Sequence, residues 1–314
     1  MEKNTSHPEV LVTGANGALA QKVIEQLKGY YKPIAVDFRK KVNLGEDIPS
    51  YFLDIQKRSF EDIFREHEIK AVIHLGRMRS SELQDRKSRY NTNVIGTKRL
   101  FELCRKYKVG QVIILSTYHV YGADRLNPAL LDEDAPLKAS GLTRDLVDSV
   151  ELENLAQINL WKHPELNITI LRPCNIIGSG IRNSISQLLS GQFAPILMGF
   201  SPIMQFIHVD DMVSAIIESL SQNKAGIYNV APDECVPYGV ALMNCGCLPI
   251  YIPSLPELVP KAILAVTKFT GFPDFLMNYY KYPVVIDSSL FNTTFNFSYN
   301  HSLDSIFRYY RNKK

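Results

Sequence analysis

The 314-residue chain has no excess of charge of one sign. Thirty-five lysines and arginines face 32 aspartates and glutamates, for a formal net charge of +3. A balance that small leaves no electrostatic footprint for a polyanion, so nucleic acid is not an expected partner. Cysteine is scarce. The five residues Cys104, Cys174, Cys235, Cys245 and Cys247 do not make a disulfide framework and fit a reducing compartment. The one close pair, Cys245-Gly246-Cys247, has no second pair or histidine beside it, so it reads as packing and no metal site is expected. No apolar run reaches the ~18 residues of a membrane span, and the polar start MEKNTSHPEV has no signal-type apolar core. A cytoplasmic protein without a membrane span is the expectation. Leu258 to Tyr280 is greasy, but Lys261, Lys268, Gly271, Pro273 and Asp274 interrupt it, which reads as a buried or lid-like helical piece. Internal repeats and low-complexity linkers are absent.

What is present is organised around Val10 to Ala20, VLVTGANGALA. Three apolar residues run into Thr13-Gly14, Gly17 follows, and Gln21 to Leu27 reads as helix. A buried strand, a tight glycine turn and a helix start are what a dinucleotide pyrophosphate needs. Glycine lets backbone approach the phosphates, and the free N–H groups and dipole of the helix N-terminus meet the negative charge. Gly14, Asn16, Gly17 and Leu19 are therefore candidate cofactor contacts. Asp37 ends the next apolar run, where a carboxylate can accept hydrogen bonds from the adenosine ribose.

Apolar strand-like runs then alternate with helical ones: Ala71 to Leu75, Asn93 to Lys106, Val112 to Leu115, Val150 to Trp161, Ile168 to Leu171. Continuous apolar strands between helices mean a parallel sheet covered on both faces. The expected fold is α/β, a Rossmann-type doubly wound parallel sheet with a smaller C-terminal substrate lobe. Residues 1–172 plus 204–230 make the dinucleotide-binding domain, and 173–203 plus 231–314 the lobe. The cleft lies at the carboxyl ends of the strands.

Further motifs carry a resemblance. They are Asp54-Ile55, His74-Leu75-Gly76, Asn93-Val94-x-Gly96-Thr97, Ser116-Thr117-x-x-Val120-Tyr121-Gly122, Leu171-Arg172-Pro173 and Phe206-Ile207-His208-Val209-Asp210-Asp211. With the glycine turn they resemble the extended short-chain dehydrogenase/reductase family, the NAD-dependent epimerases and dehydratases of nucleotide sugars, over nearly the whole length. The resemblance implies pyrophosphate on the glycine turn, ribose on Asp37 and adenine beside Asp54 and Ile55. It places Leu75 and Gly76 along the cofactor and adds Asn93 and Pro173 to the cofactor set. A small-molecule substrate is implied, and a homodimer through the helices after Gly96 and Asp145. NAD is expected over NADP, because Asp37 repels a 2′-phosphate. Arg39 and Lys40 just beyond it argue the other way.

The departures concern chemistry. The family uses a Ser or Thr, a Tyr, and a Lys four residues after the Tyr. There the lysine charge lowers the tyrosine pKa so that it can take a proton. Thr117 matches the first. Counting back from Leu171-Arg172-Pro173 puts Asp145 and Ser149 at the other two positions, with Glu153 at an acid common one turn later. Asp145 reads either as an atypical base or, with Arg144 and Asp148, as a solvated residue of a helix start. Tyr118 and His119 either reach the vacated space or pack under a loop. Met204 stands where the family often grips a diphosphate with arginine, which opens the substrate class to less polar ligands. His74 and His208 read as hydrogen-bonded core residues. Two functions stand: an epimerase/dehydratase-like enzyme with atypical acid–base groups, and a catalytically silent NAD-binding sensor or partner-binding protein.

Overall fold

The computed structural model describes residues 7–40, 42, 44–45, 47–78, 86–253 and 275–313. The first half alternates strand and helix. β1 (Glu9–Thr13) leads to α1 (Ala18–Leu27), then β2 (Lys32–Asp37) and the short β3 (Ser50–Phe52). α2 (Phe60–Glu66), β4 (Ile69–His74), α3 (Arg86–Tyr90), α4 (Gly96–Lys106) and β5 (Gln111–Leu115) follow. α5 (Ala139–Leu142), α6 (Val147–Lys162) and β6 (Ile168–Pro173) complete this half. Later come β7 (Asn175–Ile177), α7 (Ser184–Ser190), β8 (Phe193–Leu197), β9 (Ile203–His208), α8 (Val209–Gln222) and β10 (Gly226–Val230). β11 (Cys235–Pro237), α9 (Tyr238–Asn244) and β12 (Leu248–Ile252) form most of the rest.

The main sheet has seven parallel strands in the order β10-β6-β5-β4-β1-β2-β3. Strand alternation explains why both faces are covered. Val10 and Val12 point to one side, into the cluster with Val23, Ile24, Leu27, Met212 and Ile216. Leu11 between them points to the other, with Phe60, Phe64, Leu100, Phe101 and Leu152. The chain winds outward from β1 in both directions, so the topological switch lies between β1 and β4. A ligand crevice is expected at their carboxyl ends.

One strand departs from the expected plan. The stretch from Met204 to Val230 is expected to add to the main sheet, but β9 within it pairs instead with β7 and β11 in a separate three-stranded sheet. The main sheet takes only β10 from the late segments. The physical reason is that the chain leaves β6 at Pro173 and turns straight into β7, which offers β9 a parallel edge away from β6. β8 and β12 form a further two-stranded sheet. Most of the expected helical piece from Leu258 to Tyr280 lies outside the described residues, and its described end carries a single turn, Leu276–Tyr279. Among the described residues no helix is long and apolar enough to cross a membrane.

Candidate functional site

Gly14 and Gly76, at the ends of β1 and β4, touch backbone to backbone. Gly14 has φ +72°, and a Cβ on it would lie 2.6 Å from the Gly76 Cα. Only glycine fits such a crossing. Gly17, whose N–H donates to the Gly14 carbonyl at 2.8 Å, then starts α1. That helix start has neither a capping side chain nor an acid in its first turn. Its free N–H groups are thus left for an anion.

A cleft of about 930 Å³ opens over this turn. Of the sequence-predicted residues, Gly14, Asn16, Gly17, Leu19, Leu75, Thr117, Asp145, Ser149 and Pro173 line it. Asp37, Asp54, Ile55, Gly76 and Asn93 do not. Asp37 stands just behind the lining. Its carboxylate accepts from the N–H of Asn16 at 3.0 Å and of Arg39 at 2.9 Å. Arg39 Nε lies 3.6 Å from it, and Arg39 and Lys40 both line the cleft rather than standing apart in solvent. Asp54 accepts from the N–H of Gln56, and Ile55 is buried. Asn93 is fully buried and bonded to the Met78 backbone through both ends of its amide, with Asp148 as a further acceptor. It fixes the segment after β4. It sits in a π-turn at Asn91–Ile95, a wider coil that swings its side chain inward.

The end around Thr117 differs from a solvated helix start. Thr117 Oγ1 is hydrogen-bonded to His119 Nδ1 at 2.9 Å and accepts the His119 N–H. Burial, with the Arg77 charge nearby, pushes the His119 pKa down to about 3, so its imidazole is neutral at pH 7. Tyr118 also lines the cleft and donates its hydroxyl to Asn175 at 2.9 Å. Asp145 is half-buried, 3.4 Å from Arg86, and its N–H is capped by Thr143. Asp148, expected in solvent, is buried. It pairs with the equally buried Arg89 at 3.2 Å because α3 and the π-turn pack over the start of α6. Glu153 is fully buried and pairs with Arg172 at 2.9 Å.

Two residues were not singled out from sequence. Arg77 lines the cleft and donates through Nη2 to Ser149 Oγ at 2.6 Å. Burial pulls its pKa down, and the Asp148 and Glu153 charges hold it up. The available signal was an arginine directly after the His74-Leu75-Gly76 motif, at the switch point of the sheet. Tyr279 reaches the same wall from the far end of the chain. Its hydroxyl donates to the His119 carbonyl, its ring packs edge-on to the imidazole at 4.7 Å, and burial raises its pKa well above 10. It is not poised to be a phenolate.

His74 is buried between Thr13 Oγ1 at 2.7 Å and Thr97 Oγ1 at 3.0 Å, as expected of a core histidine. His208 caps α8 by accepting the Asp210 N–H and has company the sequence did not suggest, with His301 stacked on it at 3.9 Å and Asp210 beside both. Stacked imidazoles direct their lone pairs in parallel planes, and the Lys22 ammonium already pairs with Asp210 at 2.8 Å. One ligand atom from each of His208, His301 and Asp210 lies within 4.8 Å of the others, a grouping that could hold a metal ion. Met204 is buried at the cleft wall, and Arg182 stands exposed at its edge. Cys245 and Cys247 are buried, unbridged packing residues.

The NAD dependent epimerase/dehydratase family model matches residues 10–231. The chain belongs to that family. An uncharacterised protein of Mycobacterium tuberculosis is 24% identical over 238 residues, 75% of this chain and 63% of that protein, so this chain spans under two thirds of its length. UDP-glucose 4-epimerase of Dictyostelium discoideum is 27% identical over 68% of this chain and 71% of its own. Among solved structures, MoeE5 in complex with UDP-glucuronic acid and NAD superposes with a TM-score of 0.76 at 21% identity, covering 97% of this chain and 98% of that one. At that identity the likeness speaks to fold.

Proposed function

We propose that this member of the family binds NAD along the cleft. It would hold a small-molecule ligand, sugar-nucleotide-like or less polar, against Thr117 and His119. One observation carries the reading: the uncapped, acid-free start of α1 and the Thr117–His119 pair line one continuous cleft. The chain's own residues fit the cofactor. The Gly14–Gly76 crossing has no room for a side chain, which keeps the turn at the floor of the cleft tight. The helix start offers N–H groups for the pyrophosphate. Asp37, buried just behind the lining and held by two N–H donors, would set a negative charge beside the ribose that disfavours a 2′-phosphate. Bound NAD would supply hydride transfer, and the protein supplies orientation and hydrogen bonds. Relatives whose names specify UDP-glucose epimerisation, and the MoeE5 complex with NAD, support the same reading.

The second reading, a silent NAD-binding protein, is favoured by one observation. Asp145 and Ser149, which the resemblance sets against the family's tyrosine and lysine, are paired with Arg86 and bonded to Arg77. Calorimetric titration with NAD and NADP tests the binding claim common to both. NAD is expected to bind more tightly, and Asp37→Ala to weaken it. Equal or tighter NADP binding would show that Asp37 does not face the ribose. No binding of either at millimolar concentration would remove both readings.

A further inference from the structure

Besides Arg144, four arginines lie near α6, and three of them have carboxylate partners. Arg86 pairs with Asp145, Arg89 with Asp148 and Arg172 with Glu153. Arg77 is the fourth. Among the described residues its one hydrogen-bond partner is the neutral Ser149 hydroxyl, and no carboxylate lies within ion-pair distance of it. A guanidinium stays protonated under all ordinary conditions and can donate five N–H bonds, so among the described residues most of this group's capacity is not taken up. It lines the cleft with Thr117 and His119. Among the described residues the cleft therefore carries, at its Thr117 end, a guanidinium with no directly paired carboxylate. Ser149, its partner, stands where the resemblance implies a lysine. A cation reaches it instead from the segment after β4.

We propose that Arg77 supplies a fixed positive charge at the Thr117 end of this cleft in place of a residue at 149, and that this charge makes the site bind the reduced dinucleotide more tightly than the oxidised one. The inference rests on the reading that NAD lies in the cleft with its redox ring at the Thr117 end. The two cofactor forms have the same adenosine, ribose and pyrophosphate parts. They differ by one unit of charge on the nicotinamide ring, positive when oxidised and neutral when reduced. A nearby cation acts on that difference alone. At an effective dielectric of about 20, with solvent and salt screening, a unit charge some 6 Å away changes the ratio of affinities by about tenfold. Contacts of the glycine turn and Asp37 cancel from the ratio.

The test measures dissociation constants of NADH and NAD⁺ by calorimetry on the full chain, for wild type, Arg77→Met, and Arg77→Met combined with Ser149→Lys. Wild type is expected to favour NADH by about tenfold. Arg77→Met should bring the ratio close to one, and Ser149→Lys on that background should restore it, since residue 149 lines the same cleft. A ratio unchanged in Arg77→Met, even with both affinities lower, marks a structural role and overturns the proposal. A wild type that favours NAD⁺ overturns it without recourse to any variant. Failure of Ser149→Lys to restore the ratio overturns the claim that the charge stands in for residue 149. Wild type that binds neither form removes the cofactor reading itself, an outcome distinct from binding both forms without preference.

Discussion

Gly14→Ala probes the point where two strands and the cofactor turn meet. Two costs combine there. The residue sits at φ +72°, where an L side chain costs about 1–2 kcal/mol. The new Cβ would also lie 2.6 Å from the Gly76 Cα and 2.7 Å from its N. Both are backbone atoms, so relief requires the ends of β1 and β4 to part, an overpacking cost of about 1–3 kcal/mol. The sum, about 2–5 kcal/mol, is a large part of the ~5–15 kcal/mol that holds a domain folded. Gly29→Ala separates the two terms, because Gly29 has φ +91° with nothing within 4 Å of its Cβ position. It should lose only the conformational part. Urea unfolding at constant m-value gives both numbers. Calorimetry should show NAD affinity reduced in the stable fraction of Gly14→Ala and unaltered in Gly29→Ala. If the two variants lose equal stability, the backbone crossing is not tight, and the argument for a glycine-only floor to the cleft fails.

Arg172→Met should destabilise by about 3–5 kcal/mol, since it strands a fully buried Glu153; Arg172→Met with Glu153→Leu should recover much of that in thermal unfolding. His74 should make the protein acid-sensitive. Burial, then the Arg77 charge, lower its pKa from 6.5 to about 4, so the unfolded chain takes up the proton first. Its contribution is complete above pH 6.5 and falls as pH drops from 6.5 to about 4, by about 3 kcal/mol. Urea midpoints of wild type and His74→Gln between pH 7.5 and 4.5 check this, with a flatter profile expected for the variant. Asp145→Asn should leave ligand turnover nearly unchanged, because its carboxylate is tied to Arg86. A loss of about a hundredfold or more would mark it as a general base.

Local chemistry carried much of this molecule in its sequence. The strand–glycine–helix turn at Val10 to Ala20, the apolar β4 and β5, and the acid closing β2 each depend on neighbours in the chain. Period and composition therefore report them directly. The same holds for the helical stretch at 147–162, whose boundaries the sequence pattern approached within a few residues. Asp145 and Ser149 could be numbered from a motif, but not their surroundings. Tertiary structure decided those. It buried Asp148 against Arg89, closed Asp145 on Arg86, set His119 on Thr117, and brought Tyr279 over it from 160 residues away. It also placed Arg77 against Ser149, 72 positions later in the chain. It sent β9 to its own small sheet as well. Charge pairing acts over a few ångströms regardless of sequence separation, and strand partners are chosen by whichever edge is free. Neither leaves a period in the sequence, so which cation faces the cleft became visible only when β4, α3 and α6 were packed together.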